Sequence, residues 1–313
     1  NLSNEKKEIS KPKILCLHAY KQNPKVLKRR SHKIFQRLSK EFDLYIPCAP
    51  VQLTKAVNDP DPHCWYQYGN ANYQTTDDGN DGNNNNNNNN NMKDLLEQQY
   101  AHYLYFDQCL TSLAKYCIEN GPFDGIFAFS QGATIATLLC YLSCSYLVDL
   151  KDDTMDTVFS VPMSALNGMV HKYGNVFGTY LFREKYKQPA KNDTSASAST
   201  NTLAPAIVLI SGHLYPLPME MKGNYDIFVQ NCKRMSTQNL KHNTNVHPRM
   251  HFKSLHIFGE SDDWVHMDKS KELFHLFQHT NYIIHKGGHI VPDHLPNVVN
   301  AIHEFFVKNI LSS

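Results

Sequence analysis

The sequence predicts an α/β fold in which a mostly parallel central sheet is flanked by helices. Three features predict it: a buried-strand pattern at 123–133 that passes through a serine into a helical pattern, an apolar strand and polar loop at 13–23, and two strand-to-loop junctions at 251–265 and 282–292. Because the carboxyl ends of parallel strands share one edge of a sheet, we expect the polar residues after these strands to lie close together.

The first predicted strand is the apolar run Lys13–Leu17, which ends in the loop HAYKQN. A loop in this place is suited to supply a backbone N–H that binds an oxyanion, and we assign that role to Tyr20. His18 stands at the end of the same strand. It has the chemistry of a base, but a histidine in this position more often orders the loop through hydrogen bonds, and we prefer that interpretation.

The central stretch at 123–133 has the pattern of a nucleophile elbow. A serine hydroxyl is a poor nucleophile at its free pKa, so it needs a base and N–H groups that bind the developing oxyanion. A sharp turn presents Ser130 at the end of the strand and directs the N–H of Gln131 at the reacting carbonyl. The turn needs small residues two positions away on each side, here Ala128 and Gly132. An ordinary junction capped by serine is the alternative.

A carboxylate follows a late predicted strand. The strand at 251–258 ends in the loop GESDDWV, where Asp262 is the expected triad acid. Asp263 is its rival for this role, or a cap for the following helix, which we predict at 269–278.

The last junction supplies an imidazole. A short apolar run at 282–284 leads into HKGGHIVP, whose glycines allow a tight turn, so His289 is the expected base. Ser130, Asp262 and His289 follow one another in the order typical of the α/β-hydrolase fold, with room for one helix and one strand between acid and base. We therefore predict this fold.

The segments LHAYKQN, GPFDG, FSQGA, GESD and GGH together resemble the FSH-type serine hydrolases, a small α/β-hydrolase family. These segments are spread over almost the whole chain, but the blocks between them do not match the family. The resemblance implies an esterase-like, metal-independent hydrolase with a small or missing lid that acts on carboxylic esters. The family usually has glycine where Ala19 and Ala128 stand. The resemblance therefore leaves open an oxyanion hole and an elbow of altered geometry, with reduced activity. Trp65 and Tyr66 are similar to an aromatic pair of the family, and they either line an acyl pocket or form a satellite core.

Two segments look inserted into one domain that spans residues 1–313. The segment 77–91 is polar and ends in an asparagine run, which buries nothing and is expected to be disordered. The segment 187–202 is rich in polar and small residues and is expected to be a flexible loop.

Charge excludes some partner classes. With 31 basic and 29 acidic residues, the chain does not have the charge of a nucleic-acid-binding protein. Its strongest basic feature is a cluster of six residues that we assign to the solvated side of the first helix, not to a phosphate or membrane site: Lys25, Lys28, Arg29, Arg30, His32 and Lys33. The apolar residues Val26, Ile34, Phe35 and Leu38 are expected to form the buried stripe of that helix.

The remaining composition points to a cytoplasmic protein without a metal. The eight cysteines are scattered, and several lie in apolar patterns, which favours buried free thiols. No secretory signal or membrane span is recognisable, although a chain that begins at Asn1 leaves open a removed leader. The histidine pairs with i, i+4 spacing are interrupted by proline or glycine, so we predict no metal site.

Together these features predict a serine hydrolase that cleaves a small-molecule carboxylic ester through a Ser-His-Asp triad and an acyl-enzyme, without a cofactor. The alternatives are an acyl-thioesterase and a hydrolase-fold protein that binds a ligand without turning it over. The sequence assigns no substrate-binding residues and no oligomeric state.

Overall fold

The computed structural model describes residues 10–54, 61–69, 100–149, 168–183, 204–214, 216–221 and 249–312, together with Tyr225, Phe228, Val229 and Cys232. Both predicted insertions, 77–91 and 187–202, lie outside the described residues. That the chain forms a single domain remains a prediction.

A central sheet of six strands organises the fold. The strands are β1 (Lys13–Leu17), β2 (Asp43–Tyr45), β3 (Gly125–Phe129), β4 (Ala206–Ile210), β5 (Met250–Gly259) and β6 (Phe277–His285). Their order across the sheet is β6-β5-β4-β3-β1-β2, and every neighbouring pair is parallel. The predicted fold class is therefore confirmed, and the loops that follow β1, β3, β5 and β6 meet at one edge of the sheet.

Seven helices and several shorter elements surround this sheet in the described part of the chain. The helices are α1 (Pro24–Arg30), α2 (His32–Leu38), α3 (Phe106–Asn120), α4 (Gln131–Asp149), α5 (Gly168–Tyr180), α6 (Met267–Lys271) and α7 (Pro296–Phe306). Short 3₁₀ segments span Met219–Met221 and Glu272–Leu276, and a π-helical turn spans Val307–Leu311. Two small sheets pair Val51–Gln52 with His63–Cys64, and Tyr100–Leu104 with both Gln67–Gly69 and Leu217–Pro218.

The sheet is buried on both faces. All five residues of β3 and of β4 are buried, as expected for parallel strands with helices on each side. Alternate residues of β1 point into two different cores. Leu15 and Leu17 pack with α3, α4 and α5, whereas Ile14 and Cys16 pack with α1, α2 and α7.

The predicted helix at 269–278 is wrong in length. The α-helix α6 ends at Lys271, and β6 already begins at Phe277, which is fully buried. Buried and exposed residues are mixed along this edge strand, and residues 278–281 are polar. The apolar run at 282–284 therefore predicted only the last part of the strand.

The predicted first helix is in fact two helices. Ser31 separates α1 from α2, and the carboxylate of Asp293 accepts hydrogen bonds from the backbone N–H groups of Lys33 and Ile34 at the start of α2. In α1 the buried residue is Leu27 and not Val26. Asp293, which caps the start of α2, lies 260 positions away from Lys33 along the chain, so no local sequence pattern could predict this contact.

All eight cysteines are free, and six of them are buried. Burial raises the pKa of the Cys64 thiol to about 12, so the thiol is neutral and unreactive at physiological pH. Among the described residues, none of the helices combines the length and the hydrophobicity that a membrane-spanning segment requires.

Candidate active site

Ser130 stands at the turn between β3 and α4, at the carboxyl edge of the sheet. Its φ of 55° is in the left-handed region, which is strained for a residue with a side chain. Its backbone N–H donates to the carbonyl of Ile210 in the adjacent strand. Gly132 makes the tight turn possible, because a Cβ there would lie 2.5 Å from the carbonyl oxygen of Leu17. This local geometry matches the predicted elbow.

Ala19 and Ala128, where the resemblance leads us to expect glycine, have backbone conformations that do not need glycine. Ala128 is fully buried within β3, and Ala19 is buried in the loop after β1. Neither residue has a positive φ, so neither position requires glycine for its backbone conformation.

The structure brings the predicted acid, base and nucleophile into one chain of hydrogen bonds. His289 Nδ1 lies 2.8 Å from Asp262 Oδ2, and His289 Nε2 lies 2.8 Å from Ser130 Oγ. With the proton on Nδ1 donated to the carboxylate, Nε2 is free to accept from the serine hydroxyl. The arrangement has the geometry that an imidazole needs to take a proton from a nucleophile.

Asp262, and not Asp263, contacts this imidazole. The carboxylate of Asp262 is fully buried, and its second oxygen accepts from the backbone N–H groups of Trp264 and Val265. Burial by itself raises the pKa of Asp262, but the hydrogen bonds to the carboxylate, first of all from His289, outweigh it and hold the pKa below its ordinary value. Asp263 is exposed and does not cap α6, whose N-cap is His266.

The loop that carries His289 is packed tightly on the loop that carries Asp262. A Cβ at Gly259 would collide with the carbonyl oxygens of Gly287 and Gly288, so only glycine permits this approach. The side chain of His289 remains partly exposed and lies beside the ring of Phe129.

His18 is buried and hydrogen-bonded to backbone on both ring nitrogens. Nε2 accepts from the N–H of Ala49, which leaves the proton on Nδ1, 2.9 Å from the carbonyl oxygen of Ala19. Burial lowers its pKa to about 4, and a protonated Nε2 would face the Ala49 N–H donor-to-donor. His18 therefore orders the loop after β1, as the sequence indicated.

The side chain of Gln131 has a positioning role, in addition to the backbone N–H to which the sequence analysis assigned a function. Its Oε1 accepts from the N–H of Trp65, and its Nε2 donates to the carbonyl of Tyr66. Trp65 is fully buried, and its indole N–H donates to the carbonyl of His18. The aromatic pair thus joins the elbow to the loop after β1. In the sequence, the one indication of this connection was the pair of adjacent large aromatic residues.

A cleft of about 650 Å³ opens in front of the hydroxyl of Ser130. Tyr20, Gln131, Tyr66 and His289 are among the residues that line it. The backbone N–H of Gln131 donates to no acceptor in the described part of the chain. Tyr20, the other predicted oxyanion residue, is 38% exposed at the rim.

A metal centre has no basis in the described residues, where no group of three or more histidine, cysteine, aspartate or glutamate side chains is placed to hold an ion. The pair His285 and His289 illustrates the reason. His285 Nδ1 accepts from the N–H of Gly287, while His289 is engaged with Asp262 and Ser130.

Comparison with known proteins finds similar chains that are described as a hydrolase and an esterase. The chain is 28% identical to a hydrolase of Schizosaccharomyces pombe over 44% of its own length, but it spans only 30% of that protein. It is 24% identical to esterase OVCA2 of Xenopus tropicalis over 90% of its length and 86% of the relative. The structure of acyl-protein thioesterase 2 from Zea mays aligns with a TM-score of 0.44 at 16% identity, covering 97% of this chain and 96% of that one. The model of the FSH1 serine hydrolase family matches residues 7–301, and the chain therefore belongs to this family.

Proposed function

We propose that this protein is a serine esterase that hydrolyses carboxylic esters through Ser130, His289 and Asp262. One observation carries the proposal: the unbroken hydrogen-bond path from a buried carboxylate through an imidazole to a serine hydroxyl that lines an open cleft. Membership in a serine hydrolase family and the 24% identity to an esterase over most of the chain support it.

The first half of the reaction forms an acyl-enzyme. The oxygen of Ser130 attacks the ester carbonyl while its proton passes to His289 Nε2, and Asp262 stabilises the resulting imidazolium. The negative charge on the former carbonyl oxygen is bound by the backbone N–H groups of Gln131 and Tyr20. The bond between the former carbonyl carbon and the alkoxy oxygen then breaks as the carbonyl re-forms, and the alkoxy oxygen takes the proton from His289 and leaves as the alcohol.

The second half repeats these steps with water. His289 takes a proton from a water molecule, the water oxygen attacks the acyl carbon, and the bond to Ser130 breaks as its oxygen takes the proton back. The product is the free carboxylic acid. The same steps cleave a thioester, with a thiol as the leaving group, and a comparison of p-nitrophenyl butyrate with a butyryl thioester measures which acyl donor is preferred.

Labelling with a fluorophosphonate probe, together with hydrolysis of p-nitrophenyl butyrate, tests the proposal. We expect the wild-type protein to be labelled and active, and Ser130→Ala to be neither. Ser261→Ala is the matched control, because the hydroxyl of Ser261 donates to the carbonyl of Lys286 and has no contact with His289. Labelling of Ser130→Ala, or a wild-type protein that neither labels nor hydrolyses esters, would contradict the proposal.

A further inference from the structure

One wall of the cleft is cationic. The residues that line it include Lys21, Lys25, Arg29 and Arg30, against a single carboxylate, that of Asp61. This wall lines the same cleft as the hydroxyl of Ser130, where the proposed function places the substrate.

The direction of these side chains follows from the geometry of α1. Lys25 and Arg29 are four positions apart and lie on one face, and Arg30 continues this cleft-lining face. Leu27 points the other way, into the core, and Lys28 is exposed outside the cleft. The basic cluster is therefore solvated, as predicted, but part of it faces the candidate active site.

The cations of this wall have no carboxylate partner among the described residues. Neither Lys25, Arg29 nor Arg30 forms an ion pair there. The nearby Asp61 is instead engaged by His63 and by the side-chain amide of Gln52. The wall thus keeps its positive charge available to a ligand.

Helix stability accounts for only part of the wall. Positive charges in the last turn of a helix are favourable, which explains Lys28, Arg29 and Arg30. Lys25 lies in the first turn of α1, where the helix dipole disfavours a cation and no acidic residue compensates for it. Lys21 has a φ of 56°, a conformation that favours glycine. Lys25 therefore carries its charge against the preference of the helix dipole, and Lys21 keeps a side chain where glycine would be less strained. Both observations point to a role for these side chains in the cleft.

We infer that the preferred acyl substrate carries an anionic group, a carboxylate or a phosphate, which the wall of Lys21, Lys25, Arg29 and Arg30 binds while the carbonyl lies at Ser130. This inference rests on the proposed esterase function and names its substrate class. The anionic group lies either on the acyl chain or on the leaving group, and both sources share the same chemistry of recognition.

Matched substrate pairs test the inference. For the acyl chain, p-nitrophenyl hydrogen adipate is compared with p-nitrophenyl methyl adipate, which differs by one masked charge. For the leaving group, butyryl-CoA is compared with the butyryl thioester of N-acetylcysteamine. We expect kcat/KM in one of the pairs to favour the anionic member by about tenfold at low salt, and the preference to shrink at 0.5 M NaCl.

Charge-removing variants locate the effect. Arg29→Gln and Lys25→Gln are expected to lower the anionic-to-neutral ratio of kcat/KM by about three- to tenfold. Lys28→Gln is the control, since it removes the same charge from the same helix outside the cleft, and it is expected to leave the ratio unchanged.

The outcomes separate this inference from the proposed function. Hydrolysis of the neutral esters without an anionic preference, or an equal effect of Lys28→Gln and Arg29→Gln, overturns the inference and leaves the esterase function intact. Failure to hydrolyse any member of either pair rejects both.

Discussion

Two loops at the same edge of the sheet each carry a histidine, and the two histidines have opposite environments. His18 follows β1, is fully buried, and has both ring nitrogens engaged with backbone groups. His289 follows β6, is partly exposed, and contacts a carboxylate on one side and a serine hydroxyl on the other. Position after a strand does not decide the role of a histidine. Its hydrogen-bond partners decide whether it can change protonation state during a reaction.

The largest expected effect is a loss of activity when His289, and not His18, is replaced. His289→Ala removes the proposed base and is expected to lower kcat by about 10⁵-fold or more, as loss of a triad histidine does elsewhere. The buried carboxylate of Asp262 loses one hydrogen-bond donor but keeps the N–H groups of Trp264 and Val265, so we expect the melting temperature to fall while the protein remains folded. Steady-state hydrolysis and a thermal melt on the same preparation measure both. A variant that retains a tenth of the wild-type kcat would remove His289 from the mechanism.

The partner of His289 provides the next largest effect. Asp262→Asn keeps the shape of the side chain but loses the charge that supports the imidazolium, and we expect kcat to fall by about 10⁴-fold. Asp263→Asn is the matched control on the adjacent, exposed residue, and we expect its kcat to remain within about twofold of wild type. Equal losses in the two variants would show that the chosen acid is wrong.

We expect His18 to contribute to the free energy of unfolding and not to the catalytic step. His18→Ala leaves the buried N–H of Ala49 without its acceptor and creates a cavity beside Trp65, so the free energy of unfolding is expected to fall by about 3 kcal/mol. Urea denaturation measures this loss. His18→Gln, whose side-chain oxygen can still accept from Ala49, is expected to recover part of it, whereas a stable but inactive His18→Ala would favour a catalytic role.

The smallest effect is a pH dependence of stability. Well above pH 6.5, His18 is neutral in both the folded and the unfolded chain. Between pH 6.5 and about 4 the histidine of the unfolded chain is protonated, whereas the buried ring in the folded protein stays neutral. The free energy of unfolding therefore falls as the pH falls through this window.

From pH 7 to 5.5 this linkage amounts to roughly 1 kcal/mol for His18. His256, whose pKa burial lowers to about 3, adds a loss in the same direction. Unfolding free energies of wild type and His18→Gln at both pH values measure the contribution of His18, and a pH slope that is the same in both proteins would contradict it.

Much of the site was predictable because its residues follow strands with strong local patterns. β1 and β3 are short apolar runs, and the turn after β3 needs small residues that a reader can count along the chain. The contacts that support the site were not predictable in this way. Gln131 reaches Trp65, which is 66 positions away, and no local pattern encodes which amide its side chain will meet.

The same limit applies to the substrate-facing wall and to the ends of elements. The cluster around Lys25 and Arg29 is visible as charge in the sequence, but only the position of α1 beside the elbow turns part of it toward the cleft. Likewise, the start of α2 is capped by a carboxylate from the loop before α7, a contact that no local pattern around Ser31 encodes.

Read alone, the amino-acid chain determined the fold class, the elbow and the order of serine, aspartate and histidine, since these depend on residue size, apolar periodicity and loop position, which are local properties. Tertiary packing decided which of two adjacent aspartates meets the imidazole, which histidine is locked as a neutral ring, and which cations face the cleft. Those outcomes depend on distances between segments that are far apart in the chain, and such distances exist only after the sheet has assembled.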